Sequence, residues 1–357
     1  MKKSPKKFEI NKKEILEEKP FSFLNAANKL ISDLVPRTQE IIKKRFGIGQ
    51  KETETLEKIG QEYKITRERV RQIIVDALKK IDKKKDTKIF QEAENKIIFT
   101  IEENHGIIEE NKLLNKLAKD KQQEINAILF LGYCSPKIEQ FEEKGKIKKA
   151  WITNKAVIEK VKKLREAVEN LFNKEKKLLT DSDLLTRIKS QFEDFVHEEI
   201  LNLSEVLAQI SKNKFGKWGL THWKEINPKG TRERIYLVLK EKKTPLHFTQ
   251  IAELIDKYKL GKKKSHPQTV HNELIKDERF VLIGRGIYAL SEWGYSQGTV
   301  RDVLGEVLSK VGRPMHRDEI VKKVLELRKV KRSTIMINLN NSKYFLKNQN
   351  NLYTVKR

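Results

Sequence analysis

Residues 65–73 read ITRERVRQI, and four of their side chains have the types and spacing for recognition chemistry. Arg67, Glu68, Arg71 and Gln72 fall at i, i+1, i+4 and i+5, so a helix would carry them on one face. Arg can donate to both acceptors of a guanine edge. Gln can bond adenine in the same bidentate way, and Glu can accept from a cytosine amine. The major groove of a duplex admits an α-helix carrying such a face. A plainer role fits the same residues: a solvated charged face laced with ion pairs. Spacing alone does not separate the two.

Those residues need a helix to hold them. Val70, Ile73, Ile74, Ala77, Leu78 and Ile81 recur at i, i+3, i+4, i+7, i+8 and i+11, one apolar helical stripe. Thr66 is placed as its N-cap, its hydroxyl accepting from the first-turn amides. Just upstream, TLEKIGQEYKI predicts a short helix at about 55–63 with Leu56, Ile59 and Tyr63 inward, then a turn at Lys64–Ile65. Further upstream, FLNAANKLISDLVPRTQEIIKKRFGIG predicts two more helices, broken at Pro36 and closed at Gly47.

The whole chain has 357 residues, with 76 Lys+Arg against 50 Asp+Glu and a net charge of +26. That length predicts several domains, and that charge predicts a polyanionic partner. Even Lys usage beside Asn and Ile, as an AT-rich genome would encode, also raises the charge. The single cysteine, Cys134, excludes an internal disulfide, reads as a core thiol, and fits a reducing cytoplasmic setting. No apolar run approaches a membrane span, and the basic start MKKSPKKFEINKKEI lacks the apolar core of a signal peptide. Residues 1–21 read as a solvated arm.

Catalytic and metal chemistry find no support. His266 and His271 are five apart and do not share a helix face, so no metal site is expected. GIGQKET at 47–53 lacks the GK[ST] ending of a phosphate loop. No nucleophile–base set or carboxylate pair stands out. The expectation is no enzyme, no cofactor and no small-molecule substrate.

Beyond residue 85 the chain repeats. Four segments each place an apolar helix, a polar break, an apolar pair and a second amphipathic helix, then a two-strand ending with an aromatic. Aligning Ile107, Leu178, Leu246 and Met315 gives steps of 71, 68 and 69 residues. The aromatics Trp151, Trp218, Tyr288 and Tyr353 step by 67, 70 and 65. Two landmarks keeping one period predict tandem winged helices, with each aromatic packing on its first helix. TRER recurs at 231–234, where it opens an apolar helix with no turn helix before it. There the tetrapeptide is coincidence.

Across residues 23–84, PRTQEIIKKRFGIG and TLEKIGQEYKITRERVRQIIVDALKKI closely resemble region 4 of the sigma-70 family of bacterial RNA polymerase sigma factors. That module reads the upstream promoter hexamer and touches the polymerase flap. The resemblance implies base reading by Arg67, Glu68, Arg71 and Gln72. It implies phosphate contacts from Arg37, Arg45, Thr55, Leu56 and Thr66. Lys64 departs from the glycine often found in that turn. Only about 22 residues precede the match, so a complete sigma factor of the usual layout is not expected.

The third repeat, TPLHFTQIAELI through TVHNELIKDERFVLIGRGIYALSEWGY, resembles the HARE-type winged helix. That family includes the N-terminal domain of the RNA polymerase delta subunit. GKKKSHPQTVHNEL would set Lys262, Lys263, Lys264, Ser265, His266, Gln268, Thr269 and His271 at the start of its recognition helix, suited to phosphate and groove contact. Lys331, Arg332, Ser333 and Thr334 take that place in the fourth repeat. Solubilising loops on protein-binding winged helices are the alternative.

The expected fold is mainly α: an arm at 1–21, a helix-turn-helix head at 22–85, and winged-helix repeats at 86–155, 156–228, 229–296 and 297–357. The expected function is a sequence-specific transcription regulator of double-stranded DNA acting with RNA polymerase, cytoplasmic and nucleoid-associated. A polymerase accessory factor that reads no sequence, or an architectural nucleoid-type protein, is the alternative. Residues 1–85 alone should carry the sequence preference.

Overall fold

The computed structural model describes residues 21–50, 52–118, 121–192 and 194–356. The arm expected at 1–21 lies outside them except for Phe21. Its ring meets Phe23 edge-on at 5.1 Å, so it belongs to the head. Among the described residues the chain is mainly α, with sixteen α-helices and eleven short strands.

The head is four helices. α1 spans Phe23–Ile31 and is capped by the Ser22 hydroxyl, which accepts from the Asn25 amide at 3.1 Å. α2 spans Pro36–Phe46. Proline at its first turn forfeits only an amide that has no helical partner anyway. Gly47 closes α2 at φ 68°, a left-handed angle that glycine takes without strain. α3 spans Leu56–Tyr63 and α4 spans Arg67–Asp82. Ile41, Ile42, Ile59, Val70, Ile74, Ala77 and Ile81 bury their side chains between these helices.

Four winged helices follow. The first has α5 (Lys88–Glu102), β1 (Ile107–Glu109), α6 (Glu110–Ala118), α7 (Gln122–Cys134), β2 (Glu139–Glu143) and β3 (Ile147–Ile152). The second has α8 (Ala156–Glu175), α9 (Asp181–Ile188), α10 (His197–Glu205), β4 (Ile210–Lys212) and β5 (Trp218–Leu220). The third has α11 (Thr231–Lys242), β6 (Leu246–His247), α12 (Phe248–Lys257), α13 (Pro267–Lys276), β7 (Phe280–Gly284) and β8 (Ile287–Leu290). The fourth has α14 (Val300–Val311), β9 (Met315–His316), α15 (Arg317–Leu327), α16 (Arg332–Leu339), β10 (Phe345–Lys347) and β11 (Leu352–Val355).

The sheets repeat the same order, with the last strand central: β1-β3-β2, β6-β8-β7 and β9-β11-β10, all antiparallel. In the second repeat the first strand shrinks to a bridge between Leu179 and Trp218 beside the β4-β5 pair. The landmark aromatics face the first strand in register: Trp151 opposite Ile108, Tyr288 opposite Leu246, Tyr353 opposite Met315. Each hairpin turns through a positive-φ residue, Gly145, Gly216, Gly286 or Asn351. Tyr288 and Tyr353 share cores with their first helices, as expected. Trp151 shares a core with α5 as well, and its ring also fills the space at Gly132 on α7, where a β-carbon would stand 3.0 Å from it.

The break expected at residue 85 is not a break in packing. Helix α7 lies against α1, α2 and α4, and one continuous apolar core runs from Phe23 through Trp151. The rings of Phe46 on α2 and Phe130 on α7 meet at 5.0 Å. The Asn126 amide donates to the carbonyls of Gly47 at 3.0 Å and Gln50 at 3.2 Å. Residues 1–85 therefore share part of their core with the first repeat.

The described chain forms two compact units, residues up to 171 with 188–208, and 172–187 with residues from 209 on. The second repeat is divided between them. In the first unit, Lys112 on α6 pairs with Glu205 on α10, and the Lys148 amide donates to the Val206 carbonyl at 2.8 Å. In the second unit, Lys217 beside β5 pairs with Glu241 on α11 at 2.6 Å. There Arg328, buried after α15, donates to the Leu282 carbonyl at 3.0 Å and joins the last two repeats.

Truncating Phe130 to alanine should cost about 3–5 kcal/mol, the usual range for a fully buried aromatic. Head and first repeat should then melt together. Burial pushes the Cys134 thiol up to about 12, so it reports the opening of this core. Denaturant unfolding followed by circular dichroism and by thiol labelling should give coincident transitions; a folded head with a reactive Cys134 would contradict the shared core.

Candidate nucleic-acid interface

Helices α3 and α4 form the expected helix-turn-helix, and short-range chemistry fixes the turn. The Thr55 hydroxyl accepts from the Lys58 amide at 3.2 Å and starts α3. Lys64 ends it in the left-handed region, φ 52° and ψ 44°, at a strain of about 1 kcal/mol for a residue with a β-carbon. The Ile65 amide turns back to the Gly60 carbonyl at 2.9 Å. Gly60 must be small, because a β-carbon there would stand 2.7 Å from the Ile65 carbonyl oxygen. The Thr66 hydroxyl accepts from the Arg69 amide at 3.1 Å and starts α4. Val70, Ile74, Ala77 and Ile81 bury the opposite side of that helix.

Arg67, Glu68, Arg71 and Gln72 are all exposed on α4. Two pairs organise the face. Arg71 grips the Glu68 carboxylate through Nε at 2.9 Å and a terminal nitrogen at 2.7 Å. Arg69 donates to the Gln72 side-chain oxygen at 3.3 Å. The Arg71 hydrogen bond holds the Glu68 carboxyl below its ordinary range, and Glu68 raises Arg71 in turn. Both side chains of the ion pair are more than half exposed, at 57% and 59%, so water screens it and it exchanges easily. Arg69 was not among the expected readers. Its signal was its place three residues before Gln72.

The other expected phosphate ligands lie on α2 and at the start of α3. Arg37 donates to the Tyr63 carbonyl at 3.2 Å and stands 5.5 Å over the Tyr63 ring. Desolvation and the hydrogen bond to Glu40 push the Tyr63 hydroxyl up to about 12. Arg45 donates to the Glu54 carbonyl at 3.2 Å. Both arginines are exposed and braced against the backbone that leads into the two helices. Thr55 and Leu56 sit at the start of α3, where helix geometry turns the first amides outward.

The third helix of each winged repeat is the one that would meet a groove, and the four differ. α7 is spent on the head core, with Asn126, Ala127, Ile128, Phe130 and Leu131 buried. α10 opens with Glu198 and Glu199 and has no basic residue in its last turn. α13 begins after the exposed Lys262, Lys263 and Lys264, with His266 as N-cap and Gln268 and Thr269 exposed. The Ser265 amide donates to Asp256 at 2.7 Å and ties the loop down. His271 departs from expectation: its ring stacks on Phe248 at 4.5 Å, because it adjoins the buried stripe of Val270 and Leu274. In α16, Lys331 is the N-cap and Ser333 is exposed, while Thr334 is half-buried and Arg332 pairs with Asp318.

Residues 30–83 match the family model for sigma-70, region 4. The match ends with α4 and covers the whole turn. Residues 231–293, which are the third repeat, match the HARE-HTH family model, the HTH domain named for ASXL and restriction endonuclease proteins. The head is 42% identical over 53 residues to RNA polymerase sigma factor SigA of Clostridium acetobutylicum, 15% of this chain and 14% of that protein. It is 37% identical over 60 residues to sigma factor RpoD of Neisseria gonorrhoeae, 17% of this chain and 9% of that one. SigA of Nostoc sp. is 42% identical over 53 residues, again 15% and 14%. The chain thus spans about a seventh of these relatives or less. Two helix-turn-helix modules of DNA-binding type stand in one chain, the first of them a module of transcription proteins. Among the described residues no helix is long and apolar enough to cross a membrane.

Replacing Lys64 by glycine should stabilise the head, since glycine accepts the left-handed angle. The gain should stay below about 1 kcal/mol, because glycine also loosens the unfolded chain. A higher urea midpoint at unchanged slope would show it; a lower midpoint would mean that the lysine side chain holds the turn.

Proposed function

We propose that the protein is a transcription regulator that binds double-stranded DNA through α4 and discriminates base sequence there. One observation carries this reading. The sigma-70 region 4 match falls on a helix-turn-helix whose exposed face presents Arg67, Glu68, Arg71 and Gln72, organised in pairs opposite the buried stripe. Arg offers paired donors to guanine, Gln both a donor and an acceptor to adenine, Glu an acceptor to cytosine. Arg37, Arg45 and the amides at the starts of α3 and α4 would hold the phosphates. Thr66, as the N-cap of α4, adds its hydroxyl to the phosphate set.

RNA polymerase is the proposed protein partner, on the strength of the same module, and the nucleoid in the cytoplasm is the place of work. Tagged protein in cell extract should retain core polymerase after nuclease treatment. Its absence from the retained material would leave a DNA-binding regulator that works without the enzyme.

Selection from random duplexes should yield one preferred sequence for α4. Arg71→Ala and Gln72→Ala should each weaken binding to it by about 1–3 kcal/mol, the value of one bidentate base contact. Binding to random duplex should hardly change. Equal losses on selected and random duplexes would show that α4 senses only charge.

A further inference from the structure

The four winged helices let one position of the fold be compared four times, and they have diverged. The third helix of the first repeat is buried in the head core and cannot enter a groove. That of the second begins with carboxylates, and Lys160 takes up Glu199 at 2.7 Å. That of the fourth has its arginine drawn to Asp318, and Ile337 stands 72% exposed on its face. The third repeat keeps a polar face on its third helix, and among the described residues the cations before that helix and at the wing tip form no ion pair.

On α13, Gln268, Thr269 and Asn272 are exposed on the side away from Val270 and Leu274. The Gln268 amide donates to the Asn272 side-chain oxygen at 3.2 Å, so two amides stand one helical turn apart. Amide side chains are the bidentate partners of adenine in the major groove. Before the helix come Lys262, Lys263 and Lys264. Arg285 sits at the tip of the wing, between Gly284 and Gly286. All four cations are exposed, and among the described residues no carboxylate forms an ion pair with any of them. Three acids near the helix are engaged: Asp256 by the Ser265 amide, Glu273 by Arg232, Asp277 by Arg279, while Glu278 beyond its end is exposed. Cations in the loop before α13 and at the wing tip thus carry charge that these carboxylates do not neutralise, beside a neutral amide face.

We infer that α13 is a second base-reading helix. Gln268 and Asn272 contact adenine-containing steps, and Lys262, Lys263, Lys264 and Arg285 hold the flanking phosphates. The DNA recognised by the full chain then carries two separate sequence elements, one for α4 and one, adenine-containing, for α13. The first element rests on the function proposed above; the second does not.

The test is selection of long random duplexes by the full chain and by two variants. The full chain should select two blocks of sequence. The double variant Gln268→Ala/Asn272→Ala should lose the adenine-containing block and bind the selected duplex about 10- to 100-fold more weakly, the discrimination of a bidentate pair. It should keep its thermal midpoint, since both side chains are exposed. Arg71→Ala should lose only the other block. One block, lost in Arg71→Ala and kept in the double variant, would overturn the inference and leave the α4 reading standing. One block with the opposite behaviour would sustain the inference and remove the α4 reading. A salt titration adds a second readout. Changing Lys262, Lys263 and Lys264 together to alanine should flatten the slope of log K against log salt by about 2–3, at about 0.9 for each lost phosphate contact. An unchanged slope would mean that the third repeat does not touch the backbone, which also overturns the inference.

Discussion

The Asn126 side chain is buried on α7, yet its amide donates to two carbonyls of the segment that ends α2. Carbonyls at a helix end have no partner within the helix and need one from elsewhere. The bond needs a close approach, and Gly47 permits it: a β-carbon there would stand 2.5 Å from the Asn126 nitrogen. The glycine is thus required twice, for the left-handed angle and for the approach. Around this polar pin, Phe46, Phe130 and Tyr133 close the junction with ring contacts of 5.0 and 5.8 Å. The end of α2 sets where the chain enters α3, and α3 sets α4. The orientation of the recognition face therefore depends on a helix from a different domain type.

That dependence explains the use made of the first repeat. A winged helix normally leaves its third helix open. Here the third helix has become part of the head core, so its fold survives as a brace. The second repeat has moved in another direction, since its third helix belongs with the first unit and its wing with the second. Repetition supplied four copies of one scaffold, and packing has used two of them to build a larger body.

Much of this was legible in the residues. The spacing of Val70, Ile74, Ala77 and Ile81 marked the buried side of α4, and Thr66 marked its start, because both signals are local. The period of the wing aromatics marked the repeats, because each aromatic must oppose the same strand position to close its sheet. The junction was not read, although a sign of it was present. INAILFLGYC in α7 is apolar almost all round, and a helix of that kind is buried on more than one side. A repeat alignment weighs the features that copies share, and this is the feature that sets one copy apart. His271 was misplaced for a similar reason, since proximity to a basic loop says nothing about which face a side chain takes. The Glu68–Arg71 pair was visible as a possibility, but spacing could not distinguish an ion pair from two separate readers. In the structure the two side chains are paired and exposed at once, so pairing does not remove them from the face.

A chain with a net charge of +26 faces a particular difficulty in reading sequence. Unpaired cations bind any phosphate backbone, and that affinity grows with each one regardless of the bases. Selectivity needs side chains that gain on one base and lose on another. Paired or neutral groups meet that need better than free cations. Arg71 already has Glu68, so a base must offer it at least as much as the carboxylate does. The exchange is cheap, because the pair is exposed and screened, but it is not free, and a wrong base leaves the pair as it was. The Gln268–Asn272 amide pair on α13 would work the same way without charge. On the proposed reading, free lysines nearby would supply attraction, while the paired groups would supply the difference between one duplex and another.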